Sequence, residues 1–215
     1  MIWKPEKSPG PSLTWPGSNR GMLIGVDFDN TIVCYDEVFY QAAVKQGLVP
    51  KETPVVKDAV RDYLRRCGQE DLWTELQGHV YGACMADAAP FPGVLDFFAR
   101  CRERSISAYI ISHKTRHPFR GQQYDLHQSA RGWLKSKGLD GDHVFLELTK
   151  EAKLKRIAEV GCTHFIDDLP EFLGEPAFPR DVERILFDPN NHHPEARQFH
   201  RFASWPEIGD RLLPS

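Results

Sequence analysis

Two carboxylates lie two residues apart near the beginning of the sequence, in the segment GVDFDNT at residues 25–31. They are Asp27 and Asp29, and they follow the apolar run MLI at residues 22–24. Like charges this close repel each other, and apolar surroundings increase the cost of ionising both. A cation shared by the two groups would offset that cost. Paired carboxylates also suit a reaction that needs a nucleophile and a general acid or base.

Polar residues follow other short apolar runs as well. The runs are MLIGV at 22–26, SAYIIS at 107–112, HVFLEL at 143–148, THFI at 163–166 and RILF at 184–187. Runs this short, with little alternation, are typical of strands buried on both faces. Helical patterns lie between several of them, at 92–104, 125–137 and 150–160. Strands alternating with helices predict an α/β fold with a parallel sheet and right-handed crossovers.

One interval departs from this alternation. About eighty residues separate the first predicted strand from the second, which is too many for one crossover helix. Helical patterns fill the interval at 36–48, 54–67 and 70–84. We therefore predict an irregular N-terminal arm rich in proline over residues 1–20, an α/β core over 21–33 and 91–215, and a small helical insertion over 34–90.

In an open parallel sheet, ligands bind beyond the carboxyl ends of the strands. The predicted strands deliver Asp27, Asp29, Thr31, Ser112, Asp167 and Asp168 to that edge. The helical pattern before the fourth strand could bring Lys153 or Lys150 to the same edge. Several carboxylates facing one point are costly unless a cation lies between them. Oxygen ligands favour a hard ion such as Mg²⁺, which also accepts phosphate oxygens.

These segments resemble the four motifs of the haloacid dehalogenase (HAD) superfamily. DFDNT at 27–31 is similar to the first motif, YIISHKT at 109–115 to the second and HFIDDLPEF at 164–172 to the fourth. A lysine before the last motif corresponds to the third. The motifs occur in the family's order over residues 22 to about 188, and the insertion is similar to a helical cap. The resemblance implies a Rossmann-like parallel-sheet core carrying that cap.

The resemblance also implies roles for the residues at this edge. Asp27 would attack phosphorus to give an aspartyl-phosphate, and Asp29 would act first as general acid and then as general base. Ser112 would hydrogen-bond a phosphoryl oxygen, and the lysine would neutralise charge. The implied Mg²⁺ ligands are the Asp27 carboxylate, the backbone carbonyl of Asp29, Asp167 and a phosphate oxygen, with Asp168 helping directly or through water.

The identity of the motif-three lysine is open at this point. Lys153 lies fourteen residues before Asp167, which leaves room for one short helix and a turn, so it is favoured. Lys150 follows Thr149, a suitable N-cap, and is the alternative. Thr31, His113, Lys114 and Lys150 are further candidates for contact with the substrate, with His113 and Lys114 expected on the rim of the site.

Within the family, Asp29 favours ester hydrolysis over halide displacement, because a dehalogenase lacks the acid two residues after its nucleophile. The expected function is therefore a Mg²⁺-dependent phosphomonoesterase acting on a small phosphorylated metabolite. Three alternatives stay open: a phosphotransferase or mutase of the same fold, a catalytically silent binding module, and a phosphorylatable receiver, whose motifs come in a different order. A phosphonatase would need an imine-forming lysine in the insertion, and none of Lys45, Lys51 and Lys57 stands out.

The composition of the chain limits which binding partners and which cellular compartment are expected. The chain has 27 basic and 30 acidic residues and a net charge of -3, without the basic footprint of a nucleic-acid-binding protein. Its five cysteines form no C-x-x-C pair, which favours a reducing compartment. We find no membrane-spanning stretch and no apolar segment of a secretory signal at the start, and we expect a cytoplasmic enzyme whose partner is a small phosphate ester.

The histidines His192 and His193 are adjacent in the sequence. Adjacent side chains rarely converge on one ion, so a polar loop is expected there.

Overall fold

The computed structural model describes residues 21–194 and 198–214 of the chain, so the predicted arm over residues 1–20 lies outside the described residues. The strands are β1 (Leu23–Val26), β2 (Val33–Cys34), β3 (Ala89–Pro90), β4 (Ser107–His113), β5 (Val144–Glu147), β6 (His164–Asp167), β7 (Glu183–Phe187) and β8 (His200–Phe202). The helices are α1 (Asp36–Lys45), α2 (Lys57–Arg66), α3 (Glu70–Gly82), α4 (Val94–Glu103), α5 (Leu126–Ser136), α6 (Lys150–Glu159), α7 (Pro170–Leu173) and α8 (Trp205–Leu212).

Six of the strands form one parallel sheet in the order β5-β4-β1-β6-β7-β8. The first strand lies at its centre, with Val26 opposite Ile110 of β4 and opposite Ile166 of β6. The three central strands therefore reach the same edge of the sheet together. The predicted α/β class, with a Rossmann-like parallel core, is confirmed.

The core lies on both faces of this sheet, because alternate residues of each strand point to opposite sides. Ile24, Ile110 and Ile166 belong to one buried apolar cluster. Ile111 and Phe165, each next to one of those residues, belong to the other cluster. This two-sided burial explains the short, nearly continuous apolar runs in the sequence.

Two pairings in the structure were not predicted. The sixth strand of the sheet, β8, is three residues long and follows β7 at the edge. Its sequence, His-Arg-Phe, contains no apolar run that would predict a strand. The segment is a strand because it pairs with β7. The strands β2 and β3 form a separate antiparallel ribbon, with Val33 opposite Pro90. A two-residue strand is too short to leave a periodic signal.

Helices α1, α2 and α3 lie between the two strands of this ribbon, within residues 34–90, which are called the insertion below. The division of the chain into arm, core and insertion stays a prediction. Residues 114–125, here called the 114–125 loop, connect β4 to α5 and pack against α3. Arg120 of the loop pairs with Asp71 and Glu75 of α3, and the Trp133 indole N–H donates to the carbonyl of Ala88 at 2.8 Å. The insertion thus contacts the core at several points.

No helix within residues 21–194 and 198–214 is both long enough and apolar enough to cross a membrane.

Candidate active site

The ends of two central strands bring Asp27 and Asp167 to either side of one lysine. Asp27 follows β1 and its backbone N–H donates to the carbonyl of Ile166 at 2.8 Å. The Lys153 ammonium lies 2.6 Å from Asp27 Oδ1 and 2.6 Å from Asp167 Oδ2. All three side chains are buried, with Lys153 3 % exposed. A buried lysine with two carboxylate partners forms a compact charged cluster at this edge.

The phase of helix α6 determines which lysine enters the cluster. Thr149 caps the helix by accepting a hydrogen bond from the backbone N–H of Ala152 at 3.1 Å. Lys150 therefore begins the first turn and is exposed. Lys153, one turn later, lies on the buried face with Leu154 and Ile157. The structure places Lys153 among the carboxylates and Lys150 outside them.

Asp29 lies nearer the opening of the site and is held by two donors. Both of its oxygens accept hydrogen bonds from the Lys114 ammonium, at 2.9 and 2.8 Å. The Tyr35 hydroxyl donates to Asp29 Oδ1 at 2.5 Å. Lys114 is only 4 % exposed, so it is not on the rim where the sequence placed it. Its side chain turns inward because Asp29 offers the compensating charge that a buried ammonium needs.

Thr31 and Asp168 contact each other behind the carboxylate cluster. The Thr31 hydroxyl donates to Asp168 Oδ1 at 3.2 Å, and the Thr31 carbonyl accepts from the Trp205 indole N–H at 3.0 Å. Thr31 is completely buried. In this structure its hydroxyl orients a carboxylate, whereas the sequence suggested contact with a substrate.

Ser112 lies near the end of β4, next to β1, with its hydroxyl group buried and 1 % of the residue exposed. Within the described residues, the hydroxyl oxygen has no hydrogen-bond partner. A buried hydroxyl without a partner is uncommon, because it loses its bonds to water and gains nothing in return. His113, the next residue, is half-buried, and burial lowers its pKa.

Burial and mutual repulsion disturb the ionisation of the carboxylates. Burial raises the pKa of Asp27 to about 7 against the opposing charge of Lys153, and the Asp167 carboxylate adds to the rise. Burial, followed by the charges of Asp167 and Asp27, raises the pKa of Asp168 well above its usual range. Burial opposes the charged form of Lys153, but Asp167 and Asp27 outweigh it and raise the pKa of the lysine. The cluster carries more negative charge than Lys153 alone compensates.

The carboxylate side chains of this site are suitable ligands for a hard divalent cation. Asp27 and Asp167 supply buried carboxylate oxygens and Asp168 a half-buried carboxylate, and such oxygens are the ligands that Mg²⁺ prefers. No group of three His, Cys, Asp or Glu side chains over the described ranges is arranged as a complete metal site. Asp167 already accepts from Lys153 and from the backbone N–H of Leu169 at 2.9 Å. A cation here would need the backbone carbonyl of Asp29 and ligand oxygens in addition to the side chains.

A cavity of about 640 Å³ opens next to these residues, between the insertion and the edge of the sheet. Its lining includes Lys57, Arg61, Asp168, Glu171, Phe187 and His193. A volume of this size holds a small organic molecule.

The paired histidines His192 and His193 lie in the loop after β7. The backbone N–H groups of His192 and His193 each donate to a carboxylate oxygen of Asp188, at 2.9 Å. Asp188 thereby closes the polar loop that the sequence predicted after β7.

Two site residues were missed by the sequence analysis as members of the site. Tyr35 was not among the candidate residues, and Lys57 was one of three lysines of the insertion of which none stood out. Tyr35 follows β2 directly, so its closeness to DFDNT along the chain was the available signal. Lys57 lies far from the motifs in sequence, and no local signal identified it.

Comparison with solved structures places this architecture among known folds. A dehalogenase is similar over 92 % of this chain and all of its own, with 11 % identity and a TM-score of 0.58. A HAD-superfamily hydrolase from Ehrlichia chaffeensis matches over 91 % of this chain and 97 % of its own, with 14 % identity and a TM-score of 0.54. A HAD-family hydrolase from Deinococcus radiodurans R1, solved with bound phosphate and sodium, matches over 88 % and 94 %, with 16 % identity and a TM-score of 0.53.

The chain matches no protein-family model and no curated protein sequence. The structural similarity, together with the parallel sheet and the strand-end cluster, shows that the chain has the fold of the HAD-superfamily hydrolases. The resemblance seen in the four sequence motifs is thus confirmed at the level of the fold.

Proposed function

We propose that this protein is a Mg²⁺-dependent phosphomonoesterase that acts on a small phosphate ester through an aspartyl-phosphate on Asp27. The observation that carries the choice of reaction is Asp29, two residues after the nucleophile and held at the opening of the site by Lys114 and Tyr35. A dehalogenase does not need an acid at this position. The Deinococcus hydrolase of the same fold was solved with bound phosphate, which is compatible with such a substrate.

In the first step, an oxygen of Asp27 attacks phosphorus while the bond to the leaving oxygen breaks. Asp29, acting as the general acid, donates a proton to that oxygen. The carboxylate left on Asp29 is the form that Lys114 and Tyr35 stabilise with three hydrogen bonds. These donors keep Asp29 in place for its second role.

In the second step, the Asp29 carboxylate removes a proton from a water molecule that attacks the aspartyl-phosphate. Inorganic phosphate leaves, and the Asp27 carboxylate is regenerated. Ser112 would donate its free hydroxyl to a phosphoryl oxygen, which would satisfy a group that is otherwise buried without a partner. Lys153 would neutralise charge on Asp27 and on the transferring group, the electrostatic part of phosphoryl transfer.

The residues that would hold Mg²⁺ are Asp27, Asp167 and Asp168, with the backbone carbonyl of Asp29. When bound, the ion supplies positive charge that lets the carboxylates ionise together and draws electron density from the phosphoryl group. Burial, and then the neighbouring carboxylates, raise the pKa values of Asp27 and Asp168. A cation bound between these groups would oppose both effects.

The test is phosphate release from a panel of small phosphomonoesters with Mg²⁺, comparing wild type with Asp27→Asn. We expect turnover by wild type, no turnover by Asp27→Asn, and loss of turnover on chelation. Asp96→Asn is the matched control, because it removes an exposed carboxylate of α4 that does not line the cavity and leaves the strand-end cluster intact. Turnover that survives Asp27→Asn would contradict the mechanism, and a folded wild type inert towards every ester would favour a mutase or a binding module.

A further inference from the structure

Lys57 is a cation at the site that the proposed reaction does not use. It is the first residue of α2 in the insertion, and its ammonium donates to the Asn30 side-chain oxygen at 3.0 Å. Three aromatic rings surround it, with ring centroids at 5.9 Å for Tyr35, 5.5 Å for Phe39 and 5.7 Å for Tyr81. Aromatic faces attract a cation, so the rings hold the ammonium in one position without neutralising it.

The ammonium stays protonated at neutral pH. Burial opposes the charged form, but Tyr81 and the carboxylates of Asp168 and Asp29 outweigh it and raise the pKa of Lys57. A protonated lysine cannot act as an amine nucleophile. It offers three N–H donors, of which the Asn30 side chain takes one, and a hydrogen bond to Tyr81 also contributes to the raised pKa. Lys57 is therefore suited to binding an acceptor.

Five acidic residues line the cavity with Lys57; four of them have other partners, and Glu171 is exposed to solvent. Asp168 accepts from a buried threonine hydroxyl at 3.2 Å. Asp36 accepts from the backbone N–H of Lys57 at 2.8 Å, Asp58 pairs with Arg61 at 2.7 Å, and Asp188 accepts from the loop that it closes. Over the described ranges, no carboxylate forms a salt bridge with the Lys57 ammonium. Its charge faces a cavity of about 640 Å³ without a paired anion.

The position of Lys57 indicates which end of the substrate its ammonium would contact. It contacts Asn30, the residue that directly follows the proposed acid Asp29, and it comes from the insertion. Lys153 and Ser112, the proposed phosphoryl contacts, come from the core. Lys57 therefore lies on the side where Asp29 would meet the leaving oxygen.

We propose that Lys57 binds an anionic group on the leaving alcohol, either a carboxylate or a second phosphate. Resting on the proposed hydrolase function, this defines the substrate class as small phosphomonoesters with a second negative charge near the ester oxygen. The aromatic surroundings partly remove the ammonium from water, which strengthens a charge-assisted hydrogen bond to that group.

The kinetic test compares three esters with Mg²⁺. Phosphoglycolate carries a carboxylate on the leaving alcohol, glycerol bisphosphate carries a second phosphate there, and ethyl phosphate has an uncharged leaving alcohol. For wild type, we expect at least one anionic ester to be preferred in kcat/KM over ethyl phosphate by about 10- to 100-fold. Lys57→Met should abolish this preference by bringing kcat/KM for the preferred anionic ester to within about threefold of that variant's own value for ethyl phosphate. Lys57→Arg should keep most of the preference, and whichever anionic ester is preferred identifies the group.

The control is Lys51→Met, which removes one exposed positive charge from the same insertion and should leave the preference unchanged. A preference that survives Lys57→Met, or one lost equally in Lys51→Met, would overturn the assignment. Equal turnover of all three esters by wild type would overturn it as well, while leaving the hydrolase function standing.

A binding measurement separates the two proposals. Calorimetric titration with phosphonoacetate and with ethylphosphonate, which are not esters, needs no turnover. Tighter binding of phosphonoacetate by wild type but not by Lys57→Met would support the Lys57 site even if no ester were hydrolysed. The Lys57 site alone would be overturned by two results obtained together with an active wild-type enzyme. Wild type would bind phosphonoacetate and ethylphosphonate equally tightly, and it would show no preference for glycerol bisphosphate.

Discussion

Ser112 shows, at the scale of one residue, how a group that binds a ligand can lower the stability of the fold. Its buried hydroxyl has no partner among the described residues, and it lies beside the strand that ends at Asp27. A group left unsatisfied in the folded protein is one that a ligand can satisfy. The same hydroxyl should therefore lower stability and raise activity.

Ser112→Ala tests this trade-off directly. We expect kcat/KM to fall by about 10- to 100-fold, because the phosphoryl oxygen loses a donor. The free energy of unfolding should rise by about 1 kcal/mol, because a desolvated hydroxyl is removed. Steady-state kinetics and urea unfolding measure the two effects, with Ser107→Ala, at the exposed start of the same strand, as the control. Unchanged activity would show that Ser112 does not contact the substrate.

At the scale of the element, close packing of strands sets the position of the carboxylates. Gly25 lies in the central strand, where an added Cβ would be 2.5 Å from a ring carbon of Phe165 and 2.9 Å from the Cys162 sulfur. Gly25→Ala should lower the free energy of unfolding by about 1–3 kcal/mol through overpacking. Gly132→Ala, in α5 with open space around it, should instead raise stability by up to about 1 kcal/mol. Urea unfolding of both variants measures the difference, and equal effects would contradict it.

The loop after β7 gives an element-scale prediction about pH. Burial acts to raise the pKa of Asp188, but the N–H donors of His193 and His192, with Arg201, outweigh it and hold the pKa below its usual value. A lowered pKa in the folded state stabilises the protein above the unfolded value of about 3.9, and this contribution is lost as the pH falls through the folded pKa.

Asp188→Asn should therefore destabilise the protein at pH 7 and reduce its loss of stability below about pH 4. Urea unfolding from pH 7 to pH 3 measures both effects. Asp140→Asn is the control, since it makes the same change in net charge at an exposed position. The same acid dependence in Asp188→Asn and wild type would show that this carboxylate is not responsible.

At the scale of the whole molecule, the insertion is packed onto the core by the 114–125 loop. Gly78 and Gly82 of α3 let Pro118 and Tyr124 approach closely, because a side chain at either glycine would collide with them. The exposed pairs of Arg120 add little, as surface salt bridges usually do. The packing should therefore make the insertion and the core unfold together.

Hydrogen exchange tests this cooperativity. Amides of α3 and of β4 should exchange with the same free energy of opening, and Gly82→Ala should lower both values by the same amount. The free energy of opening could instead be lower for the amides of α3 than for those of β4, by at least about 2 kcal/mol. Such a difference would show that the insertion opens by itself.

The sequence by itself determined the order of the elements and most of the strand-end chemistry. Five of the sheet strands were recognisable because strands buried on both faces are short apolar runs, and that is a local property. Asp27 and Asp167 directly follow such runs, Ser112 ends one, and Asp29 lies three residues beyond the first, so strand topology brings them to one edge. The three-residue strand β8 left no such pattern, since pairing with β7 defines it.

Only the tertiary structure decided which cations meet these carboxylates. The phase of α6 buries Lys153 and exposes Lys150, a difference of one helical turn that composition does not encode. Lys114 and Lys57 reach Asp29 and Asn30 from positions 85 and 27 residues away in the sequence. Such long-range pairings depend on how loops and helices pack, because a long lysine side chain can turn outward to water or inward to a buried acceptor with the same local sequence.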